Sequence, residues 1–153
     1  MNFYDLNSQI AVAPAIAPVS VANNTPLVSA IIDRKDYEGV EFIIETGAIA
    51  SGTAEFTASL VDGNQANLSD AAPVTAAPSL VGALPAIPFS APNSAFKFGY
   101  AGPNRYVQLT ITPSANAAAA LLTAVAVLYR GKFSGKQPGP GSFPASEGTP
   151  LSN

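Results

Sequence analysis

Neither cysteine nor histidine occurs among the 153 residues of this chain, and there is no tryptophan. The missing cysteines remove disulfide frameworks and thiol nucleophiles, and the missing histidines remove histidine triads. Together they remove every zinc site built from those two residues. With histidine goes the one side chain that titrates near neutrality without special tuning. Charge is scarce as well, at 11% of residues against roughly 25% in an average soluble domain. A monomer needs a charged skin, so a chain this poor in charge is expected to hide much of its surface against other protein. Long apolar runs are missing too, although 48% of residues are hydrophobic. The longest candidate, Ala117 to Tyr129, is alanine-rich, contains Thr123 and is followed by Arg130. It falls short of the roughly 20 apolar residues a spanning helix needs. The opening MNFYDLNSQI lacks a basic start, and Pro14 and Pro18 interrupt the apolar residues 11–21. No export signal is expected.

The charges that remain are polarised along the chain. From Met1 to Phe96 nine acidic residues face Arg34 and Lys35, a net of −7. From Lys97 to Asn153 five basic residues face Glu147 alone, a net of +4, and the two halves sum to −3. Such a chain can meet a neighbour of opposite sign, including a second copy of itself. Nucleic-acid binding calls for a dense basic stripe with aromatic platforms, and Lys132 and Lys136 beside Phe133 are too thin for that. The expected partners therefore include neither nucleic acid nor membrane.

Three regions follow from the pattern. Residues 1–26 contain Pro14, Pro18, Pro26 and the Asn23-Asn24 pair, without sustained periodicity, and read as an N-terminal arm. Residues 27–130 carry strand signals. Residues 131–153 hold five Gly and four Pro, a composition that cannot build a core and reads as a C-terminal arm. In the middle region Val40, Phe42 and Ile44 alternate with Glu41, Ile43 and Glu45. Ala54, Phe56, Ala58 and Leu60 then alternate with Thr53, Glu55, Thr57 and Ser59, and Asp62-Gly63 closes that run as a hairpin signal. Phe96, Phe98 and Tyr100 lie on one face of a further strand. Val107, Leu109 and Ile111 mark another, and a strand around Leu27 to Asp33 precedes them all. Ala117 to Ala126 is open to helix on its alanines, but the β-branched and aromatic VAVLY after it favours a last strand from Leu121 to Arg130. The Ala/Pro-rich residues 68–92 form a long excursion, with room for one edge strand near Ala86 to Ser90. Short strands without amphipathic helices between them predict an all-β sandwich or barrel.

Chemistry would have to come from carboxylates. Glu41 and Glu45 share a strand face, and Glu55 on a hairpin partner would complete a group able to serve glycoside hydrolysis. The plainer reading is a charged coat that keeps a hairpin from aggregating. Asp62-Gly63-Asn64 lacks the acidic residues of a calcium loop and reads as a turn. No Gly-rich phosphate cradle, nucleophile elbow or HExxH occurs. No catalytic, cofactor-binding or metal-binding residue is assigned, no cofactor is implied, and the protein is expected not to be an enzyme.

The segment FGYAGPNRYVQLTIT (Phe98 to Thr112), set after the two alternating strands, resembles the capsid cement or decoration proteins of tailed bacteriophages. Gly99, Tyr100, Gly102, Arg105, Tyr106, Val107 and Thr112 carry the match, which extends over about Asp33 to Arg130. The resemblance implies a jelly-roll-like antiparallel β-sandwich, located on the outside of a virion and made in the bacterial host cytoplasm; the extended N- and C-terminal arms read from composition go beyond the family's usual pattern. It implies the major capsid protein as partner. Gly99, Tyr100, Gly102, Arg105 and Tyr106 are expected to be structural, with Arg105 and Tyr106 anchoring a strand end. Arg130, Lys132, Phe133, Lys136, Phe143 and Leu151 are the expected interface, where apolar groups offset the entropy of ordering an arm. A symmetric homo-oligomer is expected. A head–tail joining or tail component, and a carbohydrate-binding sandwich displayed on the virion, are the alternatives.

Overall fold

The computed structural model describes Leu6, Asn7 and residues 9–131. These residues form eleven strands and no helix: β1 (Ile10–Val21), β2 (Leu27–Val28), β3 (Ile32–Asp33), β4 (Tyr37–Ile49), β5 (Glu55–Gly63), β6 (Ala72–Pro73), β7 (Leu80–Val81), β8 (Ala86–Pro88), β9 (Ala95–Tyr100), β10 (Tyr106–Ser114) and β11 (Ala120–Gly131). One sheet runs β1-β11-β4-β9-β7, and the other runs β2-β10-β5-β6 with β3 also on β10 and β8 also on β5. Every pairing is antiparallel. The first long strand pairs with the last, and the second group (β2, β3) with the last but one. That interleaving is the jelly-roll order. The expected all-β sandwich is the observed fold.

The core follows from period two. Val40, Phe42 and Ile44 of β4, Phe56 and Leu60 of β5, Phe98 and Tyr100 of β9, Val107, Leu109 and Ile111 of β10, and Ala124, Ala126 and Leu128 of β11 are all buried. Phe42 and Phe98 stack with centroids 5.4 Å apart and planes 20° off parallel. Burying each such ring stabilises the fold by roughly 2–3 kcal/mol. Towards β1 the core residues are small: Ala11, Ala13 and Ala15 of β1 beside Ala124 and Ala126 of β11.

The expected N-terminal arm is corrected here. Residues 10–21 are edge strand β1, paired with β11 from Ile10↔Tyr129 to Val21↔Ala120. Its prolines mislead a reading of the sequence because proline is tolerated on an edge, and the register slips between Pro14 and Ile16 and between Ile16 and Val19. The same prolines and slips blunt the strand against edge-to-edge pairing. Ala120–Gly131 is strand, as the VAVLY segment predicts. The edge strand expected near Ala86 is β8, and the long excursion also contributes β6 and β7. The expected C-terminal arm beyond Gly131 lies outside the described residues.

Candidate functional site

The GYAGPNRY segment builds one end of the sandwich. Tyr100 is fully buried on β9, and its hydroxyl donates to Asp62 Oδ2 of β5 at 2.5 Å. The Tyr100 hydroxyl oxygen in turn accepts the backbone N–H of Asn104 at 3.0 Å. The Arg34 guanidinium lies 4.8 Å from the centre of the Tyr100 ring. It donates to the carbonyls of Asn104 and Glu38, each at 2.6 Å, and to that of Gly102. A Cβ on Gly102 would sit 2.5 Å from the Tyr100 hydroxyl, so glycine is what lets the chain turn over the phenol. Burial, then the Asp62 carboxylate, pushes the Tyr100 phenol up to about 12. The segment is thus structural. The strand-end anchor expected of Tyr106 is supplied by Tyr100, while Arg105 holds Asp33 through two bonds at 2.8 and 2.6 Å and stacks on Tyr106. Burial raises the Asp33 carboxyl, but its bonds from Arg105 and the Lys35 backbone outweigh that and hold it below the usual carboxylate range.

Asp62-Gly63 is not a hairpin turn. Asp62 is buried inside β5, and β6 returns to pair Val61↔Pro73 and Asp62↔Ala72. The intervening loop is tied by Asp70, which accepts the N–H groups of Asn64 and Gln65. The three-carboxylate group fails on topology. Glu41 and Glu45 lie on β4 and Glu55 on β5, in opposite sheets. The short connection between β4 and β5 crosses the sandwich instead of making a hairpin. Among the described residues no three acidic side chains gather as a metal site would require.

The outer surface of the five-stranded sheet stands apart. Across it run the rows Val12, Val127, Glu41, Gly99, Val81 and Pro14, Val125, Ile43, Lys97. Val12, Ile43, Val81 and Leu121 are exposed large apolar residues, and Val125, Val127 and Tyr129 are half-buried. Glycines flatten this face. A Cβ on Gly39 would strike the Tyr129 ring, one on Gly47 would sit 2.9 Å from Leu121 Cβ, and one on Gly99 would sit 2.6 Å from Glu41 Oε2. The large side chains of β11 therefore lie down across β4. Among the described residues, charge on the face is confined to Glu41, Glu45 and Lys97, with Lys97 and Glu41 3.6 Å apart. That separation and the exposure of Lys97 make the pair worth little.

The opposite outer surface differs in kind. Thr57 and Ser59 of β5 sit beside Thr112 and Thr110 of β10, with Gln108 and Ser114 further along. It is a hydroxyl-rich face, on which exposed Val28 lies beside Thr110 and half-buried Val61 beside Gln108. The apolar face is not legible in the sequence, because residues 1–26 read as an arm and an outer row needs its edge strand to be seen. Of the expected interface residues, Arg130 is exposed and pairs with Glu38 at 2.9 Å. Lys132, Phe133, Lys136, Phe143 and Leu151 lie outside the described residues.

No family model matches the sequence, and no curated protein matches it. Among solved structures the chain is similar to a Clostridium thermocellum N-terminal endo-1,4-beta-D-xylanase 10B, its CBM22-1-GH10 modules complexed with xylohexaose. The identity is 10% and the TM-score 0.45, over 82% of this chain and 27% of that one. This chain thus spans little more than a quarter of that structure's length.

Proposed function

We propose that this chain is a non-enzymatic structural protein of a bacteriophage virion, which binds the outer surface of the capsid and cements neighbouring major capsid protein subunits. The observation that carries the reading is the flat, apolar outer face of β1, β11 and β4. A contiguous apolar surface with few charges on an otherwise ordinary sandwich marks a protein-binding surface. Flatness suits a broad shell better than a cleft suits a small ligand. The resemblance of residues 98–112 to phage cement proteins supports a capsid as that shell. Many weak contacts repeated over a symmetric lattice hold it through avidity, and a symmetric oligomer of this chain would add to that.

Counting copies in purified particles tests this. A shell protein is present on the order of hundreds of copies and a head–tail connector at about a dozen, as shell and ring symmetry dictate. Quantification against the major capsid protein should give the first value. A ring-like number would move the protein to the head–tail junction.

A further inference from the structure

The flat face of the five-stranded sheet is complementary to itself. We propose that in the free protein two copies of this chain pair through it, face to face. The two-fold axis lies in the interface and crosses the strands between the Val127 row and the Val125 row.

Area comes first. With strands about 4.8 Å apart and same-face rows about 6.8 Å apart, β1, β11, β4 and β9 present a surface of roughly 20 by 30 Å. Two such faces withdraw roughly 1,200 Å² from water, the lower limit for a stable interface. That size fits a reversible pair, and sheets stacked in this way keep their strands nearly aligned.

The register of the sheet decides how the copies meet. The axis sets the row Val12, Val127, Glu41, Gly99 of one copy against the row Pro14, Val125, Ile43, Lys97 of the other. Val127 then packs on the partner's Val125 and Val12 on the partner's Pro14, so apolar groups cover apolar groups. The charges fit the same register. Lys97 is exposed and lands on the partner's Gly99, where the missing side chain leaves room. The carboxylate at that spot is the partner's Glu41, since a Cβ on Gly99 would sit 2.6 Å from Glu41 Oε2. Glu41 in turn lies over the partner's Ile43 and beside the partner's Lys97. One row out, Glu45 lands on the partner's Gly39, against which the Tyr129 ring and hydroxyl lie as a donor for that carboxylate. Two-fold symmetry makes each contact twice.

Other registers do worse. An axis through the Val125 row stacks Lys97 on the partner's Lys97 and Glu41 on the partner's Glu45, and like charges so placed repel. An axis along β11 leaves Glu41 on the partner's Val12 without a cation. Pairing in solution stands apart from the capsid reading, but both use one face, so a pair must part before either copy lies on a shell.

Sedimentation of the full-length protein from about 1 µM to about 1 mM reads the pairing. The mass should rise from 15.5 kDa towards twice that value. Lys97→Glu sets carboxylates against each other across the axis, and Glu41→Lys sets amines; each should weaken pairing about tenfold or more. An equimolar mixture of the two variants should regain it, because the carboxylate at position 97 of one then meets the amine at position 41 of the other. A misfolded variant cannot give that recovery, nor can a Lys97–Glu41 pair that acts only within one molecule. Thr112→Lys, on the opposite face, should pair like the wild type. A wild type that stays at the monomer mass throughout, single variants that pair undiminished, a mixture without recovery, or loss of pairing in Thr112→Lys would each overturn the proposal. No capsid enters the experiment, so its failure leaves the capsid reading to be judged by copy number.

Discussion

The hydroxyl of Tyr100 on one sheet donates to the carboxylate of Asp62 on the other at 2.5 Å, so a single buried bond ties the two layers together at the end where Arg34 collects three carbonyls. Both side chains are almost wholly withdrawn from water. A buried carboxylate that loses its donor keeps its desolvation cost.

Tyr100→Phe therefore removes more than one bond. It leaves Asp62 without the phenol and takes the acceptor from the Asn104 N–H. The expected loss of stability is about 2–3 kcal/mol, towards the upper end for an orphaned buried group. Asp62→Asn keeps an acceptor for the phenol and should cost less. Urea denaturation of the three proteins measures the order.

Burial of the Tyr100 phenol, and then its bond to Asp62, sets an alkaline limit. The phenol is neutral in the fold, and its folded pKa of about 12 lies above the ordinary phenol value of about 10. A group whose folded pKa is raised contributes stability that is complete below its unfolded pKa and is lost as pH rises through the folded one. Thermal midpoints should accordingly fall between about pH 10 and pH 12. Tyr100→Phe should flatten that part of the profile, since the other tyrosines and the lysines titrate in both proteins.

The alanine-lined side of the core makes a packing prediction. Ala126 is fully buried and sits between Ala13 and Phe42 in register. Ala126→Leu forces extra carbons into a space closed by the buried Ala13 and Phe42 and should cost about 1–3 kcal/mol. Val127→Ile, one residue along on the outer face, should change stability by no more than about 0.5 kcal/mol. Chemical denaturation of both variants checks the contrast.

Much of the sandwich is legible in the sequence because its central strands bury one face and wet the other. Phe42 and Ile44 against Glu41 and Glu45, or Phe56 and Leu60 against Glu55 and Ser59, give period two its contrast. β1 lacks that contrast. Ala11, Ala13 and Ala15 point inwards while Val12 and Pro14 point outwards, so both faces read as apolar and the prolines suggest an arm. Pairing is not legible either. Nothing in the Ala50-to-Ala54 connection says whether it makes a hairpin or crosses to the other sheet, and that choice separates Glu55 from Glu41 and Glu45. Asp62 looks like a turn residue beside Gly63, and its partner lies 38 positions away. The candidate site suffered most, because a flat face depends on Gly39 and Gly47 lying under Tyr129 and Leu121, a relationship between strands far apart in the chain.

Rebinding to capsids that lack the protein tests the central claim most directly. Val125→Lys puts a charge in the middle of the apolar face, and Thr112→Lys puts the same charge on the opposite side of the sandwich. Purified proteins are added to depleted particles, and the bound copies are counted after sedimentation. The wild type and Thr112→Lys should both bind in shell-like numbers, while Val125→Lys, folded by circular dichroism, should stay in the supernatant. Binding of Val125→Lys at the wild-type level, or loss of binding in Thr112→Lys alone, would contradict the account.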